Sequence, residues 1–79
     1  MRNTFSVTFP NGQIETFSTS RDCQFVAAYF SPVADKWEVE RWSKTMAAAK
    51  ALGHFIRETN KEGKPVFLRL HIFPCTKNS

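Results

Sequence analysis

Apolar and polar residues alternate along the first part of the chain. Phe5, Val7 and Phe9 are separated by Ser6 and Thr8, and residues 14–18 follow after Pro10-Asn11-Gly12-Gln13. A period of two is the pattern of a half-buried strand. Asn-Gly between two such stretches is a hairpin cue, because both residues accept positive φ. With Asn11-Gly12 as the loop, Phe9 faces Ile14 and Val7 faces Thr16. Phe5, Val7, Phe9 and Ile14 then share the core face, and Phe17 falls on the other face with Ser6 and Thr8.

Residues 19–32 fit two readings. As a helix over 21–30 they have Thr19 or Ser20 as N-cap, a Phe25/Val26/Tyr29/Phe30 stripe, and Pro32 as the stop. As a strand, residues 24–30 pair with the next apolar segment across Ser-Pro-Val-Ala-Asp-Lys. The strand is preferred, because the sequence from Tyr29 to Trp42 then reads as strand, loop, strand. In Lys36-Trp-Glu-Val-Glu-Arg-Trp42, alternation puts Trp37, Val39 and Arg41 on one face and Glu38, Glu40 and Trp42 on the other.

Residues 44–61 read as the main helix, with Ser43 as N-cap and Gly63 at the exit. At 100° per residue Ala48, Leu52, Phe55, Ile56 and Thr59 gather on one side, which must pack on a sheet. Lys50, His54, Arg57 and Lys61 fall nearly opposite, in a line about 16 Å long. Gly53 inside this helix costs about 1 kcal/mol relative to Ala. Pro65 suits the start of a last strand. In that strand Val66, Leu68, Leu70 and Ile72 make one face, and Phe67, Arg69, His71 and Phe73 the other. The remaining Cys-Thr-Lys-Asn-Ser reads as a frayed tail.

The expected fold is therefore α+β: one domain over residues 1–79, an antiparallel sheet of four or five strands with one main helix on one face, in the order ββββαβ. The alternative is ββαβαβ, with a second helix at 21–30. A chain of 79 residues has room for one core, and eight Phe, two Trp and one Tyr supply large areas to fill it.

Charge narrows the partners. Eleven Lys and Arg against seven Asp and Glu give a net charge of +4, which favours anionic partners. Cys23 and Cys75 are too few and too far apart for a disulfide framework, with a single Cys23–Cys75 bridge as the exception. Without a signal-like apolar run or a membrane-length apolar stretch, the chain reads as cytoplasmic, with reduced thiols and no membrane partner.

Two features carry candidate chemistry. Under one helix, the second face of the sheet stays open, and Phe67, Arg69, His71 and Phe73 would show there. Bases stack on aromatic rings and Arg pairs with phosphate, so this face has the makings of a nucleic-acid platform or a protein-docking surface. The second feature is the Lys50/His54/Arg57/Lys61 line, able to follow a phosphate backbone or an acidic groove. Glu38 and Glu40 oppose the nucleic-acid version. Cys23, His54, His71 and Cys75 lack the paired spacing of a zinc site. No nucleophile–base pair or phosphate loop stands out, so neither enzyme activity nor a cofactor is expected. The expected function is a small non-enzymatic binding protein that docks on a larger protein or nucleoprotein machine and modulates it. Phage and mobile-element inhibitors of the anti-CRISPR and anti-restriction type share this size and economy, a likeness of type only. A nucleic-acid-binding domain is the alternative. A homodimer would cover an open sheet face equally well.

Overall fold

The computed structural model describes residues 2–78. Among them the chain forms eight strands and one short helix: β1 (Asn3–Thr8), β2 (Ile14–Thr19), β3 (Phe25–Ser31), β4 (Lys36–Ser43), α1 (Met46–Lys50), β5 (Phe55–Thr59), β6 (Pro65–Arg69), β7 (His71–Pro74) and β8 (Thr76–Asn78). They make three small antiparallel sheets, ordered β2-β1-β8, β4-β3-β7 and β5-β6. This overturns the expected α+β fold with a main helix over 44–61. It also removes the alternative helix at 21–30, which is strand β3.

The helix fails for local reasons. Thr45, not Ser43, is the N-cap, and its Oγ1 accepts the Ala48 N–H at 3.1 Å. Three residues past the helix end, Gly53 adopts φ +95 and donates to the Lys50 carbonyl at 3.0 Å. That left-handed conformation suits glycine and stops the helix at once. Beyond it, Phe55, Ile56 and Thr59 favour strand over helix. The chain returns through Asn60-Lys61-Glu62-Gly63. There the Gly63 N–H donates to the Asn60 carbonyl and the Asn60 N–H to the Lys64 carbonyl, at 3.0 and 2.9 Å. The Asn60 side chain accepts from the N–H of Glu62 and of Lys64. This is a three-residue hairpin loop, with Gly63 at φ +79 supplying its left-handed position.

The first hairpin uses the same pattern. Gly12 N–H donates to Phe9 carbonyl at 2.9 Å, and Phe9 N–H to Gln13 carbonyl at 2.8 Å. The loop therefore includes Pro10, and the register is one residue away from the two-residue reading. Phe5 pairs with Phe17, Val7 with Glu15 and Thr8 with Ile14. A one-residue slip turns a strand over. Phe5, Val7 and Phe9 are buried as expected, but Ile14 is 62% exposed and Phe17 joins the core side.

A similar shift acts in β4. Ala27 pairs with Arg41 and Ala28 with Val39, so Glu40 is a bulge. The extra residue puts Trp42 on the same face as Trp37 and Val39, where simple alternation separates them. All three pack against one core, with Val7, Phe9, Val26 and Ala28 buried at its centre. The opposite face of β3 carries Ala27, which joins Ala49 and Leu70 in a second core flanked by Leu52, Ile56 and Ile72. The central sheet is thus sandwiched: the β1–β2 layer covers one face, and α1 with β5 covers the other.

Residues 65–78 tie the layers together. This run pairs in turn with β5, β3 and β1. It is interrupted at Leu70, whose N–H donates to the His54 carbonyl, and at Cys75, whose N–H donates to the Gln24 carbonyl. Fourteen extended residues span roughly 46 Å at about 3.3 Å each, matching the 44 Å long axis of the molecule. The segment expected to be a frayed tail is strand β8 over Thr76–Asn78; Ser79 lies outside the described residues.

Candidate functional site: the outer face of the β5–β6 hairpin

Pairing in this hairpin places Phe55 opposite Arg69 and Arg57 opposite Phe67. Directly opposed residues share a face, with Cβ atoms about 4.5–5.5 Å apart. Phe55 and Phe67 therefore lie on one diagonal and Arg57 and Arg69 on the other. Thr59 and Pro65 complete the face, and all six residues are exposed. Phe55 is 62% exposed and Phe67 67%. The inward residues Ile56, Glu58, Val66 and Leu68 are half-buried. Glu58 is turned away from the outer face and accepts the Ser31 hydroxyl at 2.7 Å. The outer face thus holds two aromatic rings, two guanidinium groups and no carboxylate.

Arg69 also borders a neighbouring cleft of about 440 Å³, together with Lys50, His54 and His71. Lys50 comes from the end of α1 and His54 from the turn before β5. The backbone hydrogen bond from Leu70 to His54 holds that turn against the β6–β7 junction.

The structure divides the sequence-based candidates. The Lys50/His54/Arg57/Lys61 helix line does not exist, because its residues belong to a helix, a turn, a strand and a hairpin tip. Lys50 and His54 nonetheless meet Arg69 and His71 at the cleft, and Arg57 lies beside Phe67. Lys61 stands apart, next to Pro32 and Val33 of the β3–β4 loop. The Phe67/Arg69/His71/Phe73 row splits at Leu70. Phe73 packs edge-on against Phe9 and Trp37, with centroids at 5.2 and 5.1 Å. It belongs to the core. The His71 ring lies 5.7 Å from Trp37 at the rim of that core, and Arg69 and Phe67 lie beyond it, exposed. Phe55 is the residue that sequence reasoning missed. Its signal was Phe-x-Arg-x-Thr before Asn60-Lys61-Glu62-Gly63 and Pro-x-Phe-x-Arg after it.

Glu38 and Glu40, which argued against an anionic partner, are on β4. Lys36 pairs with Glu38 at 3.8 Å. Among the described residues, no group of three His, Cys, Asp or Glu is placed to hold a metal, and no helix is long and apolar enough to cross a membrane.

Both cysteines are free thiols. Burial pushes Cys23 up from 9.0, with Asp22 adding to the shift. Burial also raises Cys75, with Cys23 as the next contributor. Tyr29 rises from 10.0 through burial and then the charge of Glu58, Glu38 and Glu40. A raised value in the folded state favours the protonated form there. The stabilisation is fully present below the unfolded value and is lost as pH climbs through the folded one. Stability should therefore be level through neutral pH and fall once pH passes the ordinary thiol value of 9.0. Urea titrations across that range check this. Iodoacetamide should label native Cys23, which is buried, at least about tenfold more slowly than the unfolded thiol; equal rates would contradict its burial.

No family model matches the chain, and no curated protein or solved structure does.

Proposed function

We propose that this chain is a small non-enzymatic binding protein that takes single-stranded nucleic acid on the outer face of the β5–β6 hairpin. The observation that carries the reading is the alternation of Phe55 and Phe67 with Arg57 and Arg69 on an exposed face free of carboxylate. Bases stack on exposed rings with little regard to sequence, and guanidinium groups meet phosphate. Lys50, His54 and His71 extend the polar side of the site toward α1. The net charge of +4 acts in the same direction.

Titrating an oligodeoxythymidylate of about 12 nucleotides by fluorescence anisotropy tests this reading. Lys50, Arg57 and Arg69 give about three phosphate contacts, so log affinity should fall against log salt with a slope near −2. No binding, or a slope near zero, removes the reading.

A second reading is favoured by the exposure of the two Phe side chains, 62% and 67%. Aromatic and Arg anchors of this kind dominate protein interfaces. The chain would then dock on a larger protein or nucleoprotein machine and modulate it, in the manner of phage or mobile-element inhibitors. Such an interface tolerates salt, which separates the two readings. A cytoplasmic setting goes with both, since the two thiols are free.

A further inference from the structure

A second, larger cleft lies on the other side of α1, with a volume of about 980 Å³. The end of β2, the loop that follows it, the end of β4 and the start of α1 enclose it. Ala48 lines this cleft, whereas Ala49 and Lys50 line the one beside the hairpin. The two sites are therefore separate, and neither reading depends on the other.

Two independent features meet here. The first is an aromatic wall: Phe17 and Trp42 stack with centroids 5.4 Å apart and planes at 18°. Phe17 keeps 39% of its surface exposed, so a planar group has an open ring beside it. The second is charge. Arg2, Arg21, Arg41 and Lys44 line the cleft against Asp22 and Glu40. Among the described residues the one ion pair is Lys36–Glu38, so none of these four cations is ion-paired with a described carboxylate. The Arg2 guanidinium is steadied by the Ser18 carbonyl at 2.6 Å. Ser43 also borders the cleft, with its hydroxyl buried beneath the surface.

We propose that this cleft binds a phosphate monoester of a planar heterocycle, the chemistry of a mononucleotide. The heterocycle stacks at Phe17 and Trp42. The phosphate meets the uncompensated guanidinium and ammonium groups, where Arg forks match phosphate oxygens. Asp22 and Glu40 accept from ring amino or sugar hydroxyl groups. They also oppose a long polyanion, which selects one phosphate over a continuous backbone.

Amide and indole NMR signals read this directly. AMP is titrated, with adenosine alone and inorganic phosphate alone as controls. AMP should move the Trp42 indole N–H and the Ser43 and Lys44 amides saturably, and each control should bind about tenfold more weakly or less. Arg41 and Lys44 are exposed, so the Arg41→Ala/Lys44→Ala variant should fold and lose about tenfold in AMP affinity. Arg57→Ala/Arg69→Ala should leave AMP binding unchanged. A short strand with a terminal phosphate that binds the same residues more tightly than AMP supports the site with a strand end as ligand. Equal binding supports it with the free nucleotide as ligand. AMP shifts that match those of the controls, or that survive in Arg41→Ala/Lys44→Ala, overturn the proposal.

Discussion

Phe9→Ala should abolish or nearly abolish the cooperative folding transition. Phe9 is 2% exposed, stacks on Trp37 at 5.2 Å with nearly parallel planes, and meets Phe73 edge-on. It joins the β1–β2 layer to the central sheet. Removing a buried Phe side chain costs about 3–5 kcal/mol. A domain of this size holds roughly 4–12 kcal/mol in total. The melting temperature should fall by roughly 15–30 °C, or the transition should vanish. Ile14→Ala is the matched control. Simple alternation puts Ile14 in the core beside Phe9, but the observed register leaves it 62% exposed. Its loss should change stability by less than about 0.5 kcal/mol. Thermal melts of the two variants side by side test the register; equal large losses would contradict it.

The second large effect is on binding. Phe67→Ala/Arg69→Ala should weaken the oligodeoxythymidylate complex by at least about tenfold, given about 1–3 kcal/mol per stacked base. The same variant should melt within a few degrees of wild type, because both side chains are exposed and the inward face of β6 keeps Val66 and Leu68. Anisotropy and melting curves on one preparation separate the two effects. Lost affinity with an unchanged melt supports a surface role. Unchanged affinity removes Phe67 and Arg69 from the site.

How far the chain could be read in advance depended on local context. Phe5, Val7 and Phe9 were legible because their alternation is unbroken and their neighbours are polar. Their partner strand was misplaced because Pro10 belongs to the turn, and one residue inverts a strand. The same turn chemistry at Asn60–Gly63 was hidden by Met46-Ala-Ala-Ala-Lys50, a good helix former. The spacing of Leu52, Phe55, Ile56 and Thr59 continued the helical pattern by coincidence. The bulge at Glu40 left no local mark in the sequence, since it answers to packing: it lets Trp42 reach Phe17 while Trp37 reaches Phe9.

The candidate site was half legible for the same reason. The outward row of the last strand was readable by alternation, and Phe67 and Arg69 stand exposed on it. What covers each position was not readable. Phe73 is taken up by Phe9 and Trp37, which come from distant parts of the chain. Phe55 and Arg57 complete the face only once β5 is a strand, so a helix reading separates them from Phe67 and Arg69.

Mapping the contact surface of the oligodeoxythymidylate by amide NMR decides whether the outer face of the β5–β6 hairpin takes single-stranded nucleic acid. Saturable shifts should concentrate in β5 and β6, at Phe55, Arg57, Phe67 and Arg69, and extend to His54 and Lys50. An oligonucleotide that binds while leaving these signals in place, or that does not bind, would contradict binding at this face.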